Sequence, residues 1–247
     1  MPFRTKKQIG KTVFVAMSGG VDSSLAAALL KEQGYQVRGV YMKNWTSADP
    51  LQCPWQEEID TAASVARHLD IPFESWHLEE EYRKTVVDYM VQEYQAGRTP
   101  NPDVVCNEKI KFGVFLKKAL EMGADFIATG HYVRLGRSDP PTEGSTLTRV
   151  EPSKENSGFL HLLRASDKNK DQSYFLCRLR QDQLRYCIFP IGHLTKPQVR
   201  AQAKKRGLFN WSRKDSQGLC FVGKVKMPDF LGQFLKPKKG LAKTPEG

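Results

Sequence analysis

Apolar positions along the first half of the chain follow two habits in turn. Lys11 to Met17 contains the run Thr-Val-Phe-Val-Ala, apolar and β-branched at consecutive positions, which predicts a strand buried on both faces; Ser18-Gly19-Gly20 breaks it. Asp22 to Gln33, rich in Ala and Leu, predicts a helix that Gly34 stops. Further strands are predicted over 37–42, 71–78 and 125–129, the last ending at Gly130-His131, with helices over 57–69, 80–95 and 107–122. Strands alternating with helices of this length imply right-handed βαβ units and so a parallel sheet covered on both faces. Ligands of such sheets bind beyond the carboxyl ends of the strands, where Ser18-Gly19-Gly20 and Gly130-His131 both lie.

The pattern then changes. Gly136 to Gly158 is crowded with Ser, Pro, Thr, Glu and Gly and has no apolar period, so it reads as a flexible insertion. Phe159 to Arg164 alternates weakly, as a strand does, and 181–187, 196–206 and 227–235 read as helices. The expected fold class is therefore α/β, a doubly wound parallel sheet with a smaller, mostly helical second domain. The expected division is 1–135 for the nucleotide-binding domain, 136–158 for the insertion and 159–236 for the second part. The Lys- and Pro-rich stretch 237–247 reads as a linker toward a further domain.

Composition narrows the class of partner. The chain has 247 residues, 40% hydrophobic and 26% charged, an ordinary balance for a soluble protein, and no apolar run approaches the ~18 residues that span a bilayer. Lys and Arg total 38 against 27 acids, a formal charge of +11, which favours a polyanion such as nucleic acid. Five widely spaced cysteines without a C-x-x-C pair argue against a disulfide framework and against the commonest zinc signature. Cys177 and Cys187, set among aromatic and aliphatic neighbours, are expected to be buried and structural, and Cys53 lacks charge partners.

Three places carry candidate chemistry. In Ser18-Gly19-Gly20-Val21-Asp22-Ser23 the glycines let backbone approach an oxyanion, the helix start offers unpaired N–H groups and two hydroxyls add donors, which makes an anion cradle. The full string matches the pyrophosphate loop of the ATP-pyrophosphatase class. Gly10-Lys11-Thr12 mimics the end of a Walker A loop, but Thr5 stands where that motif needs glycine. Pro100 to Asn107 sets Asp103 and Cys106 just ahead of the helix predicted from Asn107, where the helix dipole, Lys109 and Lys111 would lower the thiol pKa. A proline-shaped turn with a capping acid and a buried filler cysteine accounts for the same residues. Asp215 to Phe221 places Cys220 after Arg213 and Lys214 in a polar turn.

Six strings in order resemble one family, the tRNA-specific 2-thiouridylases of bacteria and mitochondria: A-M-S-G-G-V-D-S-S at 16–24, Y-M-K-N-W at 41–45, G-R-T-P-N-P-D-V-V-C-N at 97–107, A-T-G-H-Y at 128–132, K-D-Q-S-Y-F-L at 170–176 and D-S-Q-G-L-C-F at 215–221. The resemblance implies ATP contacts at Ala16, Met17, Ser18, Gly19, Gly20, Val21, Asp22, Ser23 and Gly130, with Met42 near the adenine. It implies a target-base region at Asn101, Pro102 and Asp103, and tRNA contacts at His131, Lys170, Asp171 and Gln172. Cys106 matches the family's nucleophile and Cys220 its persulfide carrier, with Asp103 as the candidate general acid or base.

The expected activity is ATP-dependent adenylation of the wobble uridine C2 oxygen, with Mg²⁺, followed by sulfur transfer to give 2-thiouridine in the tRNAs for Lys, Glu and Gln, with AMP and pyrophosphate released. Expected partners are the anticodon stem-loop and a persulfide donor fed by a cysteine desulfurase, with no membrane and a monomeric chain. An iron-sulfur cluster on Asp103, Cys106 and Cys220 is the rival to the persulfide route. The segments 191–197 and 215–218 resemble fungal mitochondrial members, so the mitochondrial matrix is the expected compartment, with bacterial cytoplasm as the alternative. The resemblance also implies C-terminal β-rich domains beyond residue 247.

Overall fold

The computed structural model describes residues 10–46, 55–138, 148–149, 158–215 and 227–236. Four predicted strands form: β1 (Thr12–Ala16), β2 (Gln36–Lys43), β3 (Phe73–His77) and β4 (Phe126–Ala128). They pair in parallel, and β8 (Cys187–Ile188) joins them, giving the order β3-β2-β1-β4-β8. Chain order reverses between β1 and β4, so a crevice opens beyond their carboxyl ends, at the topological switch point.

Each face of the sheet has its own core, as a parallel sheet requires. Val13, Val15 and Tyr41 pack against α1 (Val21–Glu32) and α2 (Trp55–His68). Phe14, Val40, Met42 and Ile127 pack beneath the helices of 79–95 and 102–121. The first of these comprises α3 (Glu79–Tyr82), a π-wound turn Arg83–Val87 and α4 (Asp88–Gln95). The second comprises α5 (Pro102–Val105), a nine-residue π-wound stretch Cys106–Val114 and α6 (Phe115–Glu121).

Beyond β4 the structure departs from expectation in several places. β5 (Val133–Ser138) pairs antiparallel with β6 (Thr148–Arg149) and with β7 (Phe159–Arg164) in a separate three-stranded sheet. β5 and β6 thus take up parts of the segment expected to be an unstructured insertion. The helix predicted over 181–187 ends early as α7 (Gln181–Leu184), because Cys187 and Ile188 pair with Ile127 and Ala128 at the sheet edge. Tertiary pairing there overrides a local helical pattern. The helix α8 (Lys196–Lys205) packs on the α1 face through Val199 and Ala203, and α9 (Met227–Leu231) buries Phe230 on the other. Among the described residues no helix is long and apolar enough to cross a membrane.

Candidate functional site

The glycine loop turns the chain from β1 into α1. Gly19 has φ +74°, a left-handed conformation, and a Cβ there would stand 2.7 Å from the Glu58 carbonyl oxygen on α2, so both backbone and packing demand glycine. The hydroxyl of Ser23 accepts the Ser18 N–H at 3.2 Å and donates to the Gly20 carbonyl, while Ser24 donates to the same carbonyl at 2.8 Å. These bonds fix the loop at the start of α1, where the first N–H groups of a helix have no partner within it. Gly130, at the end of neighbouring β4, closes the other side; a Cβ there would lie 2.6 Å from the Ser23 nitrogen.

Asp22, in the first turn of α1, is the hub of an ionic cluster. Tyr132 donates its hydroxyl to Asp22 Oδ1 at 2.7 Å, and the Lys196 ammonium reaches both carboxylate oxygens at 2.8 Å. Lys196 also meets Asp215 Oδ1 at 2.7 Å, an oxygen that Arg200 reaches at 3.4 Å, and Lys170 meets the other oxygen, Oδ2, at 2.5 Å. Burial works to raise the Asp215 pKa, but the bonds from Lys170 and Lys196 outweigh it and hold the carboxyl below its ordinary value. Burial, reinforced by the charge of Asp22, pushes the Tyr132 hydroxyl far up, so it stays a donor.

Residues from four of the quoted strings therefore meet: Asp22, Tyr132, Lys170 and Asp215. Their junction, Lys196, is in none of the six strings, although it falls in the 191–197 segment noted for its resemblance, and Asn210, whose amide donates at 2.9 Å to the Gly19 carbonyl and to the Ser24 hydroxyl, is in neither. A signal for Lys196 was available in the sequence. A lysine opening a helix in Thr-Lys-Pro sits against the helix dipole, and a local rule broken in this way marks a place held by something else.

The second candidate region starts earlier than expected. Asn101 caps the helix, accepting the Val104 N–H at 3.2 Å, and Pro102 fills the first helical position, where its missing N–H costs nothing. Cys106 thus lies a full turn inside the helix instead of at its start, so the dipole expected to activate it from Asn107 is not at that place. It is buried in the same core as Met42 and Ile110, with Asp103 on the turn before it.

The remaining expected site residues are placed as follows. Ala16 ends β1 and Met17 leads from it into the loop, and Met42 is buried on the face covered by the Cys106 helix. His131 is interior, with Nδ1 2.8 Å from the Thr129 hydroxyl and its ring against Phe112 and Phe189; burial, assisted by Lys111, lowers its pKa well below 6.5. Asp171 accepts from the Ala165 N–H and the Ser173 hydroxyl, both at 2.8 Å, and Gln172 accepts the Tyr132 N–H at 2.9 Å, so both brace the chain from within. Cys187 is buried as expected, donating to the Gln183 carbonyl, and burial pushes its pKa up. Cys177 is a correction: it is exposed, because the 3₁₀ turn Ser173–Leu176 buries Leu176 in its stead. Cys53 and Cys220 lie outside the described residues, and so does any meeting of Cys220 with Cys106. Among the described residues no group of three or more His, Cys, Asp and Glu side chains is placed to hold a metal.

A five-stranded parallel α/β sheet with a glycine turn at its switch point is the layout shared by domains of the pyrophosphate-loop fold. The chain belongs to the family described as the tRNA methyl transferase HUP domain, whose model matches residues 11–224. Among curated proteins it is 50% identical over 243 residues to the tRNA-specific 2-thiouridylase MnmA of Christiangramia forsetii, covering 96% of this chain and 58% of the relative. It is 51% identical over 233 residues to the protein of that name from Flavobacterium johnsoniae, with 93% and 55% covered, and 49% identical over 237 residues to that from Akkermansia muciniphila, with 95% and 61% covered. The chain thus spans little more than half the length of these relatives.

Proposed function

We propose that the chain is the catalytic part of a tRNA 2-thiouridylase. The observation that carries this is the cluster joining Asp22 of the anion cradle to Asp215, the first residue of the Cys220 string, in a chain about half identical to proteins of that name. The family description names methyl transfer, but methyl transfer needs neither an anion cradle nor two matched cysteine strings, whereas sulfur transfer through an adenylated base uses both.

A uracil C2 carbonyl is a poor electrophile with a poor leaving oxygen. In the proposed reaction that oxygen attacks the α-phosphorus of ATP, the α–β bond breaks, and pyrophosphate leaves into the N–H groups of the Ser18–Ser23 loop. Asp22, beside that loop, is suited to hold Mg²⁺, which would spread the phosphate charge. The outer sulfur of a Cys220 persulfide then adds at C2 as AMP departs with the oxygen, and Asp103 takes the persulfide proton. Cys106 attacks the inner Cys220 sulfur, the S–S bond to the nucleoside breaks, and 2-thiouridine leaves with a Cys106–Cys220 disulfide behind. The base must leave its stack to reach a buried thiol, which costs least in a single-stranded anticodon loop.

The test is nucleoside mass spectrometry after anticodon stem-loop RNA, ATP, Mg²⁺ and a persulfide donor are mixed with the chain. The expected result is 2-thiouridine with one pyrophosphate per event, lost in Cys106→Ser and Cys220→Ser. Thiolation that persists in Cys220→Ser during a single turnover would remove the relay.

A further inference from the structure

One exposed apolar side chain means little on its own, since every folded surface carries some. Tyr174 is the most exposed of the large apolar residues described, at 57%, and it does not stand alone. Its ring lies on that of Phe175, with centroids 4.0 Å apart and 35° between the planes. One face of the tyrosine is therefore backed by a second aromatic ring, and the exposure belongs to the rest of it.

The 3₁₀ turn Ser173–Leu176 that carries the pair is held firmly from behind. Leu176 is buried in the core that also contains Val105 and Cys106. Gln172 and Tyr132 exchange two bonds: the Tyr132 N–H donates to Gln172 Oε1 at 2.9 Å, and the Gln172 N–H donates to the Tyr132 carbonyl at 3.0 Å. Asp171 accepts from Ala165 and from Ser173. The side chains of Asp171 and Gln172, expected to touch tRNA, thus brace the turn internally, and what the turn presents outward is Tyr174. The turn packs against α5, whose cap and first residues are Asn101, Pro102 and Asp103, the implied target-base region. Beside it Lys109 at 2.7 Å and Arg178 at 3.3 Å share one carboxylate, Glu108, which leaves a surplus positive charge on a mostly exposed rim.

We propose that Tyr174 is a stacking platform for an unpaired nucleobase that neighbours the target uridine in the anticodon loop, an inference that rests on the RNA reading above. A backed aromatic ring with cations beside it matches a nucleotide, whose base offers a π face and whose phosphate offers a negative charge. When the target uridine leaves the stack, the base next to it loses a partner on one face, and Tyr174 supplies a replacement. The platform is insensitive to which base it receives, because every base has such a face.

The test is the affinity of the full chain for a fluorescently labelled anticodon stem-loop RNA, read by anisotropy over a range of salt concentrations. Tyr174→Ala is expected to bind roughly five- to hundredfold more weakly, as the loss of one stacked base predicts, and Tyr174→Trp to bind as the parent does. The slope of affinity against salt is expected to stay the same in Tyr174→Ala, because a neutral ring releases no counterions. RNAs made abasic at one loop position at a time complete a double-mutant cycle: one position costs the parent a similar factor and costs Tyr174→Ala nothing further. Parent-like affinity in Tyr174→Ala, a changed salt slope, or losses that add at every abasic position overturns the platform while leaving RNA binding in place. Absence of RNA binding by the parent chain overturns both.

Discussion

At the scale of single residues, the site is built from groups whose chemistry is set by what covers them. His131 makes the point. Its ring is enclosed by Phe112 and Phe189, and burial first, then the nearby Lys111 charge, keeps it neutral in the folded chain. Unfolding releases it to an ordinary pKa near 6.5, so below that pH the unfolded state binds a proton that the folded state refuses. The folded-state pKa is depressed, hence the stability tied to His131 is complete above about pH 6.5 and is lost as pH falls toward the folded value. Urea midpoints measured from pH 7.5 to 5.5 are expected to decline, and His131→Gln is expected to flatten the decline even if it lowers the midpoint at pH 7.5. An equal slope in the variant would place the sensitivity elsewhere. The residues that sequence patterns identify most securely are those with a local reason to exist, such as Gly19 with its left-handed backbone. Lys196 and Asn210 were not legible in this way, because each is explained by partners more than 170 positions away.

Among elements, the helix that begins at Pro102 matters most to the proposed chemistry, since α5 and the π-wound stretch behind it carry both Asp103 and Cys106. Reading Asn107 as the helix start put Cys106 at an electropositive end. The two prolines before it looked like turn punctuation, although Pro at a first helical position after an Asn cap is the ordinary way to start a helix. In the π-wound stretch hydrogen bonds reach five residues back, a geometry that no apolar period announces. Asn101→Ala removes one capping bond, at a cost of about 1 kcal/mol, and frees the turn that holds Asp103. Denaturant unfolding is expected to show that loss in Asn101→Ala and to show Asn101→Asp close to the parent, since aspartate caps equally well. Were the alanine variant as stable as the parent, the cap would be incidental and the Asp103 turn would be held by the core alone. The strands β5 and β8 were hidden for a related reason: β5 mixes charge with apolar residues, and β8 is two residues long and exists only because β4 offers an edge.

For the whole molecule, the question is whether the part after the insertion is a separate unit. The apolar pattern suggested a smaller, mostly helical second part, and the described connections run across that boundary repeatedly. β8 completes the sheet, α8 lies on α1, Asn210 reaches the Gly19 carbonyl, Arg206 pairs with Glu32 at 2.7 Å, and the Lys196 ion pairs span both halves. The core residues Val199, Ala203 and Leu208 belong to the same cluster as Leu25 and Val65. A boundary crossed by buried apolar contacts and by buried polar bonds does not open independently, so the described structure is expected to unfold as one cooperative transition. Trp76 lies in the core of the early part and Trp211 packs against the shared cluster from the late part, so variants keeping one or the other as the only tryptophan report on each half. Their fluorescence midpoints in urea are expected to coincide with each other and with the loss of helical circular dichroism. Asn210→Leu, which removes the amide bonds to the Gly19 carbonyl and the Ser24 hydroxyl, is expected to lower both midpoints together. Separated midpoints would mean that the late part can leave the nucleotide loop without unfolding it. In that case Asp22 and Asp215 would be neighbours only part of the time, and the ion pairs that Lys196 makes to both would form only while the two parts are docked.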